Sequence, residues 1–299
     1  MIRRDTFPKV LLMLAGLVFF SANTVYFMDD SGNEVLASVD TGYYFEFDSL
    51  PKRKPYLNVK AAMLVNYDNG QVLYAKNVDD VRPIASITKL VTAMVVLDHK
   101  LDMKTKQTIS KEDSRRSSKS RFRTGYEMTL EDLLYAALMQ SDNRAARALA
   151  RAVSGTYEAF ASEMNAKVKS LGLEHTVFYE PTGLDERNVS TAHEVAKMVQ
   201  YAYEYPTIRK ITTTRRHQVR VLNKKNFHRR LGNTNRFLVS PYKVLAGKTG
   251  YIIAADYCLT TMLQNKEGER LTLVVLGTPG DRLRFREARK LADWGFKKI

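Results

Sequence analysis

The chain has 299 residues, 44% of them hydrophobic, and a formal net charge of +15 at pH 7. This composition excludes wholesale disorder and allows one or two folded domains with a sizeable core. A single cysteine excludes a disulfide framework and a thiolate zinc cluster, and the positive charge indicates an anionic partner.

The first residues have the layout of an export segment. Arg3, Arg4 and Lys9 precede an apolar run over residues 10–20, as in secretory signals. Apolar residues return at 25–28, so residues 1–28 are interpreted as either a cleaved signal peptide or an uncleaved membrane anchor. We therefore expect export to the periplasm or cell envelope, with residues 29–57 as an acidic spacer.

The remaining chain, residues 58–299, predicts one α+β domain. Two apolar segments flanking Asp68-Asn69-Gly70 predict a hairpin, and helices are expected over 86–101 and 130–139, after Thr156 and after Thr191. Strands over 257–263 and 271–277 precede a closing helix over 282–296. Strands near both ends with helices between them favour an antiparallel sheet built from N- and C-terminal strands around an inserted helical cluster.

Ser86-Ile87-Thr88-Lys89 is the first motif that could carry chemistry. At this spacing a hydroxyl and an ammonium group lie on one helical face, and Ser86 falls in the first turn, where the helix dipole favours an oxyanion. A lysine can activate a serine only when its pKa is lowered. The same spacing occurs at Ser49–Lys52 and Ser240–Lys243, but both contain a proline that spoils helical geometry.

Two further triplets are ambiguous when each is taken alone. Ser141-Asp142-Asn143 is also typical of a helix break with local capping. Lys248-Thr249-Gly250 is also typical of a strand end with a glycine bulge. An edge strand that carries a cation and a hydroxyl suits a peptide carboxylate, and Gly250 would let a substrate backbone approach.

Together the three motifs occur in the order found in penicillin-binding proteins and class A β-lactamases. Over about residues 58–296 the chain resembles the low-molecular-mass penicillin-binding proteins, which are serine D-alanyl-D-alanine peptidases. Residues 81–89, 180–184 and 233–235 are similar to the short endopeptidase subgroup of that family. The resemblance implies a serine β-lactamase/D,D-peptidase-like fold.

The resemblance also implies roles for the motif residues. Ser86 would form an acyl-enzyme, and Lys89 would be its general base, with a pKa depressed by nearby Lys248. Ser141 and Asn143 would relay the proton and hold the peptide amide. No metal or organic cofactor is required.

Substrate contacts follow from the same resemblance. Thr249 would bind the substrate carboxylate, and the backbone N–H groups of Ser86 and Tyr251 would form the oxyanion hole. The implied substrates are peptidoglycan peptides, with β-lactams as covalent inhibitors and a role in cell wall biogenesis and cell shape.

Three hypotheses for the activity of the protein remain open. The first is an endopeptidase that cuts cross-links, the second is a carboxypeptidase that removes terminal D-alanine, and the third is a non-catalytic wall-binding or penicillin-sensing module. Tyr251 follows the Lys-Thr-Gly motif where carboxypeptidases often have His, which weakly favours the first. Glu180 lacks the following Leu-Asn of the class A β-lactamase loop, which argues against rapid deacylation.

Residues 207–236 contain ten Lys or Arg and no acid. This basic stretch indicates either attraction to an anionic cell-wall polymer or membrane surface, or a solvated loop and hairpin. Nucleic acid is not expected as a partner because the protein is predicted to be exported. A second basic cluster over 115–123 could line the same cleft. Cys258, in a predicted strand, is interpreted as a small core residue.

Overall fold

A computed structural model describes residues 19–21, 24–28, 34–38, 42–47, 51, 54–115 and 120–299. The chain divides into two units, Met1–Tyr43 and Tyr44–Ile299. In the first unit, β1 (Phe19–Ser21), β2 (Thr24–Met28) and β3 (Glu34–Ser38) form an antiparallel sheet.

Most of the predicted export segment, residues 1–18, lies outside the described residues, so export stays a prediction. Within the described ranges, no helix has the length and apolar character needed to span a membrane.

The second unit contains the elements that build the site. Its strands are β4 (Ala61–Asn66), β5 (Val72–Lys76), β6 (Arg82–Pro83), β7 (Lys106–Thr108), β8 (Glu127–Thr129), β9 (Val189–Ser190), β10 (Arg216–Arg220), β11 (His228–Gly232), β12 (Lys243–Ile252), β13 (Asp256–Gln264) and β14 (Arg270–Thr278). Its α-helices are α1 (Lys89–Asp98), α2 (Leu130–Met139), α3 (Asn143–Ser154), α4 (Tyr157–Ser170), α5 (Ala192–Glu204), α6 (Pro206–Thr213) and α7 (Asp281–Gly295). Two short 3₁₀ helices cover Ala85–Thr88 and Arg236–Val239.

The main sheet has five antiparallel strands in the order β12-β13-β14-β4-β5. The C-terminal strands therefore pair with the first hairpin of the unit, and the helices α1–α6 are inserted between them. This confirms the predicted α+β architecture. Strand β12 lies at one edge of the sheet, so one of its sides is free to face a cleft.

Side chains alternate between the two faces of each strand, so the apolar core has one layer on each face of the sheet. On β14, Leu273 and Val275 belong to the cluster that also contains Leu291 of α7, whereas Val274 and Leu276 belong to the cluster with the inserted helices. Successive side chains of a strand point to opposite faces, which is why both faces of this apolar strand are covered.

The predicted helix starts are confirmed by side-chain caps. The Thr129 hydroxyl accepts a hydrogen bond from the Asp132 N–H at 3.1 Å, and Thr191 accepts one from Glu194 at the same distance. Helix α6, which was not predicted, occupies the start of the basic stretch, because Pro206 at its first position suits a helix start.

The second unit includes residues 44–47, which the sequence analysis assigns to the acidic spacer. The unit begins at Tyr44, and Glu46 pairs with Gln71 beside β5. Phe45 and Phe47 lie 5.3 and 5.8 Å from the His193 ring, measured between ring centroids. The acidic spacer prediction overlooked these aromatic residues, which gain partners only when the sheet edge is formed.

Removal of the α2 cap should destabilise the unit. We expect Thr129→Ala to lower the free energy of unfolding by about 1 kcal/mol, because the Asp132 N–H loses its acceptor. Urea unfolding followed by circular dichroism measures the change. Thr129→Ser keeps a hydroxyl and should stay close to the wild type; equal losses in both variants would contradict the capping role.

Candidate active site

Ser86 lies where a short 3₁₀ helix continues into α1. The preceding residue, Ala85, has a φ of +49°, in the left-handed region that non-glycine residues rarely adopt. Ser86 Oγ lies 3.0 Å from Nζ of Lys89, which is fully buried. The predicted pairing of hydroxyl and amine on one turn is therefore present.

The other contacts of Lys89 define the direction of its lone pair. Its Nζ donates to Oδ1 of Asn143 at 2.7 Å and to the carbonyl of Thr182 at 2.6 Å. Both partners are carbonyl oxygens, which accept and cannot donate. A neutral amine has two N–H bonds, which these oxygens occupy, so its lone pair is left for the hydroxyl of Ser86.

The protonation state of Lys89 follows from its burial. Burial lowers the pKa of Lys89 to about 7, against an opposing effect of Glu180 and Asp142 and a smaller lowering by Arg147. Near neutral pH a large fraction of this amine is therefore uncharged and able to accept a proton.

Lys248, the second buried lysine, contacts the serine of the Ser-Asp-Asn triplet. Its Nζ donates to Oγ of Ser141 at 2.9 Å and to the carbonyl of Thr249 at 2.8 Å. Burial, and then the charge of Lys89, lower the pKa of Lys248 well below its usual value. Burial is the main cause of the lowered pKa of both lysines, and like-charge repulsion between Lys89 and Lys248 is a smaller one.

The Ser-Asp-Asn triplet both caps a helix and lines the cleft. Ser141, with a φ of +61°, and Asn143 line the cleft with Ser86. Between them, Asp142 caps α3 by accepting a hydrogen bond from the Ala145 N–H at 3.0 Å. Local capping therefore fixes the turn that directs its two neighbours into the site.

The Lys-Thr-Gly strand closes the opposite side of the cleft. A Cβ atom at Gly250 would lie 3.1 Å from the backbone nitrogen of Ser86 and 2.9 Å from the carbonyl of Ile84. A larger residue would therefore push the edge strand away from the nucleophile. The Thr249 hydroxyl is 2.6 Å from that of Thr234, and the half-exposed Tyr251 stacks on Tyr257 at 4.2 Å.

The loop that follows Glu180 contains functional contacts that the sequence did not reveal. Its carboxylate accepts hydrogen bonds from the backbone N–H groups of Thr182 and Leu184, each at 2.9 Å. These bonds hold the Thr182 carbonyl against Lys89. Gly183, with a φ of +80°, passes so close to Ala85 that a Cβ would collide with the Ala85 carbonyl.

These residues surround a cleft of about 510 Å³. Sequence reasoning also missed Arg284 on α7, a buried cation that lines the cleft. Its guanidinium donates to the carbonyls of Gly250 and Cys258 at 2.9 and 3.0 Å, which fixes the edge strand from behind. Cys258 is itself buried, and burial raises the pKa of its thiol to about 11, as expected for a core residue.

Comparison with known proteins identifies related chains. Residues 49–280 match the family described as D-alanyl-D-alanine carboxypeptidase. A D-alanyl-D-alanine endopeptidase of Escherichia coli (strain K12) is 40% identical over 246 residues, covering 81% of this chain and 78% of that protein. The crystal structure of the Streptomyces K15 DD-transpeptidase is similar, with a TM-score of 0.77 at 28% identity, covering 82% of this chain and 99% of that one.

A second similar solved structure has a bound ligand. Penicillin-binding protein D2 from Listeria monocytogenes, in the cefotaxime-bound form, has a TM-score of 0.72 at 28% identity, covering 82% of this chain and 100% of that one. The architecture therefore recurs in proteins that are 28% identical in sequence to this chain.

The protonation of Lys89 can be observed directly. In protein labelled with ¹⁵N at lysine Nζ, we expect a resonance that titrates with a midpoint near pH 7, because burial disfavours the charged amine. Its loss in Lys89→Met would assign it, and Lys248→Met separates the signal of the second buried lysine. Titration of every lysine above pH 10 would contradict the buried, neutral amine.

Proposed function

The chain belongs to the D-alanyl-D-alanine carboxypeptidase family and is a serine D-alanyl-D-alanine peptidase; from this we infer that it hydrolyses peptide cross-links of peptidoglycan as an endopeptidase. The observation that carries the mechanism is the 3.0 Å contact between Lys89 Nζ and Ser86 Oγ, with the other two contacts of the amine limited to acceptors. The sequence likeness to the short endopeptidase, penicillin-binding protein 7, and the 40% identical E. coli endopeptidase support the choice of reaction.

Acylation begins with neutral Lys89. Its lone pair takes the proton of the Ser86 hydroxyl while Oγ bonds to the carbonyl carbon of the D-alanine residue. The carbonyl oxygen becomes an oxyanion that faces the backbone N–H groups of Ser86 and Tyr251. The tetrahedral intermediate then loses its C–N bond and leaves an ester on Ser86.

The leaving amine needs a proton when the C–N bond breaks. Lys248 donates to Oγ of Ser141, so the hydroxyl hydrogen of Ser141 is free to point into the cleft. The proton held by Lys89 reaches the amine through this hydroxyl. In the second half of the reaction a water attacks the ester, Lys89 takes a proton from that water, and Lys89 passes this proton to Ser86 Oγ as the ester bond breaks.

Substrate binding uses the two sides of the cleft. The Asn143 amide holds the peptide on the acyl side, and the Thr249 hydroxyl binds the carboxylate nearest the scissile bond. The buried guanidinium of Arg284, behind Gly250, adds positive potential on that side.

β-Lactams acylate Ser86 by the same first step, and the cefotaxime-bound relative supports this. Glu180 should not speed hydrolysis of this ester, because its carboxylate is occupied by backbone N–H groups of its own loop. This carboxylate is therefore poorly placed to activate a water for deacylation.

A carboxypeptidase that removes terminal D-alanine by the same mechanism is the second candidate, and the family description favours it. The third hypothesis, a non-catalytic binding module, gains no support from the site, because both buried lysines and the serine are present. The reaction products distinguish the endopeptidase from the carboxypeptidase.

We also propose that the protein is exported and that its basic surface binds an anionic cell-wall polymer. The basic and apolar N-terminal residues support export, and N-terminal sequencing of the mature protein tests it. On the β10–β11 hairpin, Arg216, Arg220 and Arg230 are exposed on one face, while Val219 and Leu231 are buried on the other.

The second basic cluster adjoins this surface. Arg121 donates to the carbonyl of Arg230 at 3.1 Å and lines a depression shared with Ser141 and Asn143. The positive surface therefore extends to the rim of the cleft, where it would concentrate an anionic wall polymer.

Replacement of the nucleophile tests the catalytic proposal. We expect Ser86→Ala to lose covalent labelling by fluorescent penicillin and to lose cleavage of purified cross-linked muropeptide dimers, because no other hydroxyl contacts Lys89 Nζ in the described part of the chain. Gel fluorescence and chromatography of the products measure both. Persistent labelling would contradict the assignment, and release of D-alanine from monomers with intact dimers would favour the carboxypeptidase.

Salt dependence tests the basic surface. Binding to isolated sacculi should weaken as NaCl rises from 50 to 500 mM, because screening shortens the Debye length to a few ångströms (on the order of 4 Å). A triple Arg216→Gln, Arg220→Gln, Arg230→Gln variant should bind less at low salt than Lys104→Gln/Lys106→Gln, which removes exposed charges elsewhere. Binding that is indifferent to salt would show that the attraction is not electrostatic.

A further inference from the structure

Two depressions adjoin the active-site cleft along the outer side of α7. The first, of about 580 Å³, shares Arg236 and Asp281 with the cleft and also contacts Arg282 and Arg286. The second, of about 340 Å³, shares Arg236 and Arg286 with the first. The shared lining residues make a continuous groove that leads away from the nucleophile.

Arginines dominate this surface. We call it the arginine groove, and it is defined by Arg236, Arg282, Arg286 and Arg289. Two of the four have close acidic partners: Arg236 lies 2.8 Å from Asp281, and Arg289 lies 2.9 Å from Asp293.

The other two arginines, Arg282 and Arg286, are exposed and are less engaged by acidic partners. The Arg286 side chain is 76% exposed, and its nearest carboxylate, on Glu287, is 3.6 Å away. Arg282 is exposed and has no ion pair within the described residues. A solvated helix face could carry such charges, but here they line concave depressions that open into a catalytic cleft. Guanidinium groups in such a position suit the planar carboxylates of a peptide.

The groove begins on the leaving-group side of the cleft. Arg236 lies two residues after Thr234, whose hydroxyl contacts that of Thr249 at 2.6 Å. In the proposed mechanism Thr249 binds the carboxylate next to the scissile bond, beyond the nitrogen that leaves. A substrate that continues past Thr249 therefore enters the arginine groove.

Endopeptidase and carboxypeptidase reactions differ on this side. A carboxypeptidase releases one amino acid, whereas the amine released from a cross-link remains part of a second peptide with its own carboxylates. We propose that the arginine groove binds the carboxylates of this second peptide and so selects cross-linked dimers over monomers. The inference rests on the proposed function and identifies the part of the chain that recognises the leaving strand.

The test compares two double variants that each remove two exposed positive charges. Arg282→Gln/Arg286→Gln alters the groove, and Lys104→Gln/Lys106→Gln alters exposed residues that line none of the three depressions. Thermal unfolding confirms that each variant is folded. Steady-state kinetics are then measured on a purified muropeptide dimer and on a monomeric pentapeptide.

We expect the groove variant to raise KM for the dimer about tenfold, since two exposed charge pairs together contribute about that factor. KM for the monomer should change by less than about twofold, and the lysine variant should resemble the wild type with both substrates. Equal effects of the two variants, or an equal rise in KM for dimer and monomer, would overturn the inference.

A modified substrate provides the reciprocal test. If the carboxylates of the second peptide other than the one next to the scissile bond are amidated, the wild type should lose affinity for the dimer, and the groove variant should be indifferent to the amidation. An equal loss in both proteins would place the carboxylates elsewhere.

A failure of the proposed function can be distinguished from a failure of the groove inference. If the wild type does not cleave dimers, the endopeptidase assignment is wrong, and calorimetric binding of the dimer to Ser86→Ala then tests the groove by itself. Binding that is unaffected by Arg282→Gln/Arg286→Gln in that background overturns the groove inference whatever the reaction is.

Discussion

The chemistry of this protein depends on the burial of one amine beside one hydroxyl. Lys89 has no exposed surface, and burial lowers its pKa from the usual 10.5 to about 7. Relative to water, this disfavours the charged amine by roughly 5 kcal/mol, since each pKa unit corresponds to about 1.4 kcal/mol. The fold therefore gives up stability at this position, and in the proposed mechanism the uncharged amine is the base that Ser86 needs.

Several distant elements are required to keep that amine in place. Asn143 comes from the start of α3, and Thr182 from a loop that the Glu180 carboxylate organises through backbone N–H groups. The backbone is also in the left-handed conformation at Ala85, just before Ser86, and at Ser141. Strain at such positions persists only when the surrounding packing fixes it, and here the edge strand, α3 and the Glu180 loop meet around one side chain.

The sequence predicted much of this arrangement and failed in identifiable places. Apolar periodicity and side-chain caps predicted α2, α5 and the C-terminal strands, because these signals are local. Residues 44–47 were assigned to a spacer, since Phe45 and Phe47 become partly buried only when they pack beside His193. The motif required a lysine with a lowered pKa, but the burial that lowers it at Lys89 comes from residues far apart in the chain, which the sequence does not identify.

The sequence by itself determined the reacting groups: a serine and a lysine on one helical turn, a Ser-Asp-Asn turn, and a Lys-Thr-Gly strand in a fixed order. Their types and local spacing are covalent facts that need no folding. Only the tertiary structure decided which lysine contacts Ser86, that Thr182 and Glu180 serve the site, and that the cleft continues into an arginine groove along α7. Those properties depend on burial and on distances between residues far apart in sequence, which arise when the sheet and the helical cluster pack together.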